Sequence, residues 1–184
     1  MRKLANDLRI QGKSIGFVPT MGYLHEGHLS LAQRARKEND VVVVSIFVNP
    51  AQFAPNEDFD RYPRDLGRDC KLLQGMVDYI FCPGTAEIYG RDEKIAFEIK
   101  DLTDCFCGLS RRRHFQGVIQ VMVKLLNIIK PDRVYFGQKD YQQTVAVKHL
   151  IEELFYDTKM VVCPTVRERD GLAMSSRNKY LEVV

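Results

Sequence analysis

The sequence has no long apolar run. No stretch approaches the roughly eighteen apolar residues that a membrane-spanning helix needs. Residues 1–7 also contain no apolar core of the kind found in secretory signal peptides. The sequence therefore predicts no membrane span, and we expect a cytoplasmic protein.

The sequence also has no strong excess of one charge. It contains 27 basic and 24 acidic residues, for a formal net charge of +3. A nucleic-acid-binding domain is typically much more basic, so nucleic acid is not an expected partner. A slight positive balance is equally suited to small anionic substrates.

Cysteine is scarce, with five residues in a chain of 184. An odd number in a chain of this length does not indicate a disulfide framework, and we expect reduced thiols of a cytosolic protein. Cys105 and Cys107, followed by His114, do not match a usual zinc spacing, and no second pair follows. The sequence therefore predicts no metal site built from cysteine.

No G-x-G-x-x-G follows the first predicted strand, which argues against a dinucleotide dehydrogenase. Instead, short apolar runs alternate with helical patterns, and runs such as 41–48 are typical of parallel strands buried on both faces. The alternation predicts an α/β fold: a Rossmann-like, doubly wound, mainly parallel sheet with helices on both faces. Strands are predicted at 15–18, 41–48, 77–82, 134–136 and 160–163, with a short edge strand at 96–99.

Residues 17–31 join the end of a strand, a glycine-bearing turn and the start of a helix. The strand should end at about Pro19, since proline cannot donate to a sheet ladder. If the helix begins near Glu26, His25 and His28 are separated by about one turn and point the same way. They would project near a helix N-terminus, where free N–H groups and the dipole favour an anion.

Two glycines support the same interpretation. Gly22 and Gly27 leave room where a ligand's phosphates would come close. Histidines in a loop can also be ordinary surface residues, but a strand before the pair and a helix after it favour a site. The stretch therefore predicts a phosphate-binding pocket with two imidazole donors.

Further polar clusters follow other predicted strands, at the edge where open α/β sheets bind ligands. Gln52 can donate and accept, and so can orient a small polar acid. Gly137 permits close approach, and Lys139 is a point charge suited to phosphate. Asp140 can hold a ribose hydroxyl, bind Mg²⁺ or cap the next helix, and the cap is the stronger interpretation of this residue alone.

Two more clusters each admit two interpretations. Residues 174–177, which we call the serine segment, carry two hydroxyls and a guanidinium, and can form a phosphate clamp or an ordinary turn. The basic run 111–113 can contact a triphosphate or carboxylate, or belong to a solvated loop.

The stretch 17–31 resembles the H-x-G-H signature of the nucleotidylyl-transferase superfamily, which activates carboxylates or phosphates with ATP or CTP. Its sequence, V-P-T-M-G-Y-L-H-E-G-H-L-S-L, is similar to that of the pantothenate synthetase family, the pantoate–β-alanine ligases. The similarity extends through S-I-F-V-N-P-A-Q-F, Y-P-R, H-F-Q-G-V, residues 137–140 and P-T-V-R with the serine segment. That segment also resembles a counterpart of the mobile K-M-S-K-S loop of class-I aminoacyl-tRNA synthetases.

This resemblance implies an enzyme that condenses pantoate with β-alanine through a pantoyl adenylate, consuming ATP with Mg²⁺ and releasing AMP and pyrophosphate. It implies catalytic roles for His25, His28, Lys139, Ser175, Ser176 and Arg177. In the family His28 is the proton donor, but stabilisation of the departing pyrophosphate would explain the position of His28 equally well. The implied pantoate ligands are Gln52 and Gln143. The implied ATP contacts are Met21, Gly22, Tyr23, Leu24, His25, Glu26, Gly27, His28, Gly137, Gln138, Lys139, Asp140, Val166, Met174, Ser175, Ser176 and Arg177.

The family carries a smaller C-terminal lid domain after the serine segment, and its members are usually dimers through the preceding domain. We therefore expect residues 1–184 to form a single ATP- and pantoate-binding domain without that lid, and to form a homodimer. The run 111–113 and Gln120 depart from the family's usual residues at these positions.

Other functions remain open at this point. A different H-x-G-H nucleotidylyl transferase would explain the histidines and the serine segment, but not the glutamines. A non-catalytic nucleotide-binding or dimerisation module is a second alternative, which the retained phosphate-facing residues argue against. A nucleic-acid binder is the weakest alternative, because its binding would need the strong salt dependence that a more basic surface gives.

Overall fold

The structure is a computed structural model that describes residues 1–90, 92–100, 109, 111 and 114–181. These residues form a five-stranded sheet in the order β3-β2-β1-β4-β5, and every pair of neighbouring strands is parallel. The strands are β1 (Ile15–Thr20), β2 (Val41–Ile46), β3 (Tyr79–Phe81), β4 (Arg133–Gly137) and β5 (Lys159–Cys163).

The connections between these strands are mostly helical, as the alternating pattern predicted. The α-helices of the described ranges are α1 (Arg2–Ile10), α2 (Glu26–Glu38), α3 (Leu66–Leu73), α4 (Thr85–Ile88), α5 (His114–Ile129) and α6 (Tyr141–Glu153). Short 3₁₀ helices occupy Pro50–Gln52, Gln138–Asp140 and Ser176–Tyr180.

Both faces of the sheet are buried, which confirms the predicted doubly wound fold. In β2, Val41 and Val43 pack into one hydrophobic cluster, with α1, α5 and α6. The alternate residues Val42 and Val44 pack into a second cluster, with α2 and residues from α3. Because side chains alternate across a strand, a continuous valine run supplies apolar groups to both layers.

The sheet order places a topological switch point between β1 and β4. From β1 the chain builds outward through β2 to β3, and then returns to add β4 and β5 on the other side of β1. The connections leaving β1 and β4 therefore diverge to opposite faces and open a crevice at the carboxyl ends of these strands. Ligands bind at this position in open α/β sheets.

Several strand boundaries differ from the prediction by about two residues: β2 ends at Ile46 and β3 begins at Tyr79. Strand β1 continues through Pro19 to Thr20, and Pro19 is paired in register with Ser45 of β2. The register between β1 and β4 covers Gly16 and Phe17. Pro19 lies beyond that register, so the sheet accommodates a residue without an N–H group.

The predicted edge strand at 96–99 is wrong. Residues 93–100 form neither helix nor strand, and Gln120 of α5 donates a 3.0 Å hydrogen bond to the backbone oxygen of Ile95. Lys124 of α5 also forms an ion pair with Glu93. This segment therefore packs along a helix, and the alternation of apolar residues reflects one-sided packing instead of sheet pairing.

Candidate active site

The N-terminus of α2 is built by the two histidines of the H-x-G-H motif. His25 is the N-cap, and its Nδ1 accepts a hydrogen bond from the N–H of Gly27 at 3.2 Å. In return, Nδ1 of His28 accepts a hydrogen bond from the N–H of His25 at 3.3 Å. The motif is therefore a reciprocal capping box in which imidazoles replace the usual hydroxyl and carboxylate.

This arrangement determines where the imidazole protons lie. An Nδ1 that accepts a hydrogen bond carries no proton, so a neutral ring is protonated at Nε2. Burial is the largest cause that lowers the pKa of His25 to about 4 and that of His28 to about 3, and the nearby ammonium of Lys139 lowers both further. At neutral pH both rings are thus uncharged, and each has a free Nε2–H donor.

Gly27 is required by the capping geometry. A Cβ at this position would lie 2.9 Å from Cε1 and Nδ1 of the His25 ring. The sequence suggested that this glycine makes room for a ligand, but its first effect is to let His25 reach the helix N-terminus.

The turn between β1 and α2 is held by a residue that sequence reasoning missed. Gly22 and Tyr23 both have positive φ, at +82° and +50°. Asp69 of α3 is 1% exposed, and its carboxylate accepts the N–H of Tyr23 at 2.7 Å and the N–H of Leu24 at 2.8 Å. An acidic residue inside an amphipathic helix gives no sequence signal for such a contact 45 residues away.

The connection after β4 brings a cation to the other side of the crevice. Lys139 pairs with Asp140 at 3.0 Å. A Cβ at Gly137 would meet no atom within 4 Å, so the backbone there is open to a ligand. Asp140 is the N-cap residue of α6 but makes no side-chain capping bond. The cap interpretation of Asp140 is therefore wrong, and its carboxylate is directed to Lys139.

The orientation of the Gln52 amide is set by Asn49. The Oδ1 of Asn49 accepts the N–H of Ala51 and the hydroxyl of Tyr89, at 3.2 and 2.6 Å. Its Nδ2 therefore donates, to Oε1 of Gln52 at 3.1 Å and to the Gly117 oxygen at 3.0 Å. The Gln52 Nε2 donates one N–H to the Met21 sulfur at 2.8 Å, so its second N–H is the donor that Gln52 can offer to a substrate oxygen.

Arg111 has an intramolecular partner. It makes a double ion pair with Glu57, with both distances at 2.6 Å, and donates to the Gln52 oxygen at 3.3 Å. Nδ1 of His114 lies 2.9 Å from the same oxygen. The solvated-loop interpretation is wrong for Arg111, whose charge is largely neutralised by Glu57. Arg112, Arg113, Cys105 and Cys107 lie outside the described residues.

The serine segment closes one wall. Ser175 caps the last 3₁₀ helix, accepting the Arg177 N–H at 3.2 Å. Ser176 Oγ donates to the Tyr23 oxygen at 3.1 Å. Arg177 pairs with Asp58 through two bonds of 2.8 Å. The segment is therefore docked on the β1–α2 turn and on the loop before α3.

These elements enclose one cleft, and most predicted site residues line it: Met21, His25, Gly27, His28, Gln52, Gly137, Lys139, Asp140, Gln143, Val166, Met174, Ser175, Ser176 and Arg177. Sequence reasoning missed Thr20, Asn49, Tyr62 and His114 among the lining residues.

Five predicted residues do not line the cleft. Leu24 is fully buried in the core, while Glu26 and Gln138 are exposed outside it. Gly22 and Tyr23 form the supporting turn. The five residues do not line this cleft, and their predicted contacts to a nucleotide stay predictions.

The described residues contain no group of three histidine, cysteine, aspartate or glutamate side chains able to hold a metal ion. Among the described residues, Asp140 is the only aspartate or glutamate whose side chain lines the cleft. One carboxylate suits a Mg²⁺ ion that is held mainly by substrate phosphates and water. None of the helices within the described ranges has the length and apolar character needed to cross a bilayer.

The fold and the cleft together define an α/β protein with a ligand site at the switch point of a doubly wound sheet, built around an imidazole-capped helix N-terminus. The chain belongs to the pantoate–β-alanine ligase family, whose model matches residues 1–183. This confirms the resemblance on which the sequence analysis relied.

Individual relatives support the assignment. The chain is 56% identical over 182 residues to pantothenate synthetase of Caldicellulosiruptor bescii, covering 98% of this chain and 64% of that protein. Pantothenate synthetase of Thermus thermophilus superposes with a TM-score of 0.91 at 50% identity, covering 97% of this chain and 66% of that one. Pantoate-beta-alanine ligase of Francisella tularensis, complexed with beta-gamma ATP and beta-alanine, gives 0.94 at 46% identity, with coverages of 99% and 70%. The chain thus spans somewhat less than two thirds of the curated relative's length.

Proposed function

We propose that this chain carries the ATP and pantoate site of an enzyme that condenses pantoate with β-alanine. The observation that carries the proposal is one cleft lined by two neutral imidazoles, Lys139 and a glutamine fixed as a donor. The Francisella relative, with 46% identity, has been crystallised with an ATP compound and β-alanine, which supports the same assignment.

In the proposed first step, a carboxylate oxygen of pantoate attacks the α-phosphorus of MgATP. The new P–O bond forms as the bond to pyrophosphate breaks, giving pantoyl adenylate. Negative charge shifts to the leaving group, and donors fixed in advance stabilise it most effectively. The Nε2–H groups of His25 and His28, at the N-terminus of α2, and the Lys139 ammonium are such donors. Asp140 would help to hold the Mg²⁺ of MgATP, which would supply further positive charge to the phosphates.

The low histidine pKa values bear on the role of His28. A ring with a pKa of about 3 is almost entirely neutral at pH 7. Hydrogen-bond donation from Nε2–H therefore suits His28 better than the proton transfer that the resemblance implies. No proton needs to move in this step, because both the attacking carboxylate and the leaving pyrophosphate are anions.

In the proposed second step, the β-alanine amine attacks the adenylate carbonyl. A C–N bond forms, the bond from carbon to the AMP oxygen breaks, and the nitrogen loses a proton. The mixed anhydride must be sheltered from water. The serine segment, docked through Ser176 and Arg177, would cover this part of the cleft.

We further propose that residues 1–184 act as one ATP- and pantoate-binding domain in a cytoplasmic homodimer. The single parallel sheet with both faces covered supports one domain, and the family assignment supports the assembly and the location. Sedimentation of the protein over a range of concentrations tests the dimer directly.

The test is pantoate-dependent exchange of labelled pyrophosphate into ATP, with Mg²⁺. We expect exchange in the wild-type chain and its loss in His28→Asn, which keeps an acceptor near the Nδ1 position but removes the Nε2–H. His149→Asn is the matched control, because His149 is 53% exposed on α6 and contacts Glu153.

Three outcomes separate the alternatives. Exchange that requires both pantoate and His28 supports the proposal. Exchange with another acid or phosphorylated acceptor, and none with pantoate, replaces it with a different nucleotidylyl transfer. Binding of neither MgATP nor pantoate by calorimetry overturns it.

A further inference from the structure

The turn from β1 into α2 does not hold its shape by itself. Gly22 and Tyr23 have left-handed backbone conformations, which disfavour a side chain such as that of Tyr23. The Gly22 N–H reaches Oγ1 of Thr20 at 3.2 Å. The next two N–H groups, of Tyr23 and Leu24, have their acceptors on α3.

Two adjacent residues of α3 bind this turn from outside. The Asp69 carboxylate accepts the N–H groups of Tyr23 and Leu24, one on each oxygen. Arg68 donates to the Leu24 oxygen at 2.8 Å, and its guanidinium carbon lies 5.0 Å from the centroid of the Tyr23 ring. We call this pair of residues the α3 clamp.

The clamp is directly coupled to the imidazoles. Leu24 precedes His25, and the His25 N–H is the donor that fixes the His28 ring. A rotation of the peptide planes at Tyr23 and Leu24 would therefore move both Nε2–H groups. The backbone of Tyr23 also accepts Ser176 Oγ, so the same turn supports the serine segment.

We infer that Asp69 is a positioning residue for the H-x-G-H imidazoles, an inference that rests on the proposed function of the cleft. A buried carboxylate is costly unless its hydrogen-bonding capacity is used, and both oxygens of Asp69 bind the turn that carries His25. The side chain is 1% exposed and is absent from the cleft lining, so it acts through the backbone.

Asp69→Asn is the sharpest test, because asparagine has nearly the same side-chain shape as aspartate. One of the two carboxylate oxygens becomes an NH₂ group, which then faces the N–H of Tyr23 or Leu24 and cannot accept from it. We expect the maximal rate of pyrophosphate exchange to fall by about 10- to 100-fold, the range that a displacement near 1 Å can produce. The KM for MgATP should change much less, since the Lys139 ammonium, on the other side of the cleft, still binds the phosphates.

Asp132→Asn is the matched control. Asp132 also accepts a backbone N–H, that of Ile15 at 2.7 Å, but at the opposite end of β1. We expect this variant to lower the melting temperature while leaving the maximal exchange rate per folded molecule within about two-fold. Equal rate losses in the two variants would overturn the inference.

Nitrogen-15 shifts of the histidine rings give a readout that does not depend on activity. The wild type should show His25 and His28 as neutral Nε2–H tautomers with Nδ1 as an acceptor. This signature should change in Asp69→Asn and persist in Asp132→Asn. If the wild type binds neither MgATP nor pantoate, the proposed function fails, and the nitrogen shifts alone then decide whether the clamp positions the rings. Unchanged shifts in Asp69→Asn would reject the inference.

Arg68→Met covers the case in which Asp69→Asn does not fold. It removes the bond to Leu24 while keeping the apolar stem of a side chain that is 43% exposed. We expect a smaller displacement in the same direction, with altered His25 shifts. Wild-type shifts and a wild-type exchange rate in this variant would contradict the clamp.

Discussion

At the scale of single residues, each histidine of the motif has two separate tasks. Nδ1 of His25 caps a helix, and Nδ1 of His28 accepts the His25 N–H. The remaining Nε2–H groups are then available to a ligand. The structural and the chemical contributions of one imidazole can therefore be separated by substitution.

We predict that His25→Asn keeps the fold but loses activity. Asparagine is a favoured N-cap whose side-chain oxygen can replace Nδ1, so the melting temperature should stay close to that of the wild type. Loss of the Nε2–H should lower the exchange rate by about 10²- to 10³-fold, as for other fixed donors to a developing anion. Thermal unfolding and pyrophosphate exchange measure the two effects.

His25→Ala provides the comparison. It removes both the cap and the donor, so it should lose about 1 kcal/mol of stability in addition to the activity. If His25→Asn retained the wild-type rate, the proposed contact between Nε2–H and a phosphate would be wrong.

At the scale of one element, the N-terminus of α2 makes folding depend on pH. The pKa values of His25 and His28 in the fold, about 4 and about 3, lie below the value of 6.5 expected for an unfolded chain. The unfolded state therefore binds more protons below pH 6.5. The stability that the two neutral rings contribute is fully present above this pH, and it is lost as the pH falls through about 4 for His25 and about 3 for His28.

We predict that lowering the pH from 7 to 5 destabilises the wild type by roughly 2 kcal/mol through His28 and by less through the more exposed His25. Aspartate and glutamate with lowered pKa values titrate mainly below this window. Urea unfolding at both pH values should show a smaller difference in His28→Asn, with a residual difference from His25 and His114, whose pKa is also lowered by burial. His149→Asn should behave as the wild type, and an unchanged difference in His28→Asn would refute the assignment.

The serine segment is the second element with a testable anchor. Arg177 pairs with Asp58, and its guanidinium carbon lies 5.8 and 5.3 Å from the ring centroids of Phe53 and Tyr62. The pair is partly exposed, so it should contribute at most about 1 kcal/mol to folding. Its main effect should be to hold the segment over the cleft.

We predict that Asp58→Asn raises the Kd for MgATP by about five-fold, which corresponds to about 1 kcal/mol. The melting temperature should be almost unchanged. Asp60→Asn, an exposed aspartate of the same loop, is the control. Calorimetric titration of both variants measures the effect, and equal affinities would show that the ion pair does not position the segment.

At the scale of the whole molecule, the cleft joins the two halves of the sheet. The residues after β1 and those after β4 lie on opposite sides of the switch point. A ligand bound by both His28 and Lys139 would therefore connect the two halves of the sheet. Binding there should stabilise the entire domain instead of a single loop.

We predict that MgATP at 100 times its Kd stabilises the chain by about 2.7 kcal/mol. For a domain of this size, the melting temperature should rise by roughly 5–10 °C. The rise should be much smaller in Lys139→Met, which removes the cation from the cleft, and normal in Lys148→Met, on an exposed turn of α6. No rise in the wild type would count against a nucleotide site.

Much of this organisation was accessible from local patterns. The valine run 41–44 predicted a strand buried on both faces, and the apolar spacing after the two histidines predicted a helix that begins near Glu26. The strand predicted at 96–99 failed because alternation alone does not distinguish sheet pairing from one-sided packing on α5. The cap predicted for Asp140 failed because Lys139 competes for its carboxylate.

By itself, the sequence determined the order of strands and helices, the H-x-G-H helix start and the family, because these depend on neighbouring residues and on spacing. Only the tertiary structure decided which nitrogens are free and which groups hold them. Asp69 accepts a hydrogen bond from Tyr23, 46 positions earlier in the sequence. Asn49 orients the amide of Gln52. Asp58 forms an ion pair with Arg177. Such contacts depend on how the helices and loops pack on the sheet. The residue type alone does not show whether an aspartate is buried or which distant group it binds.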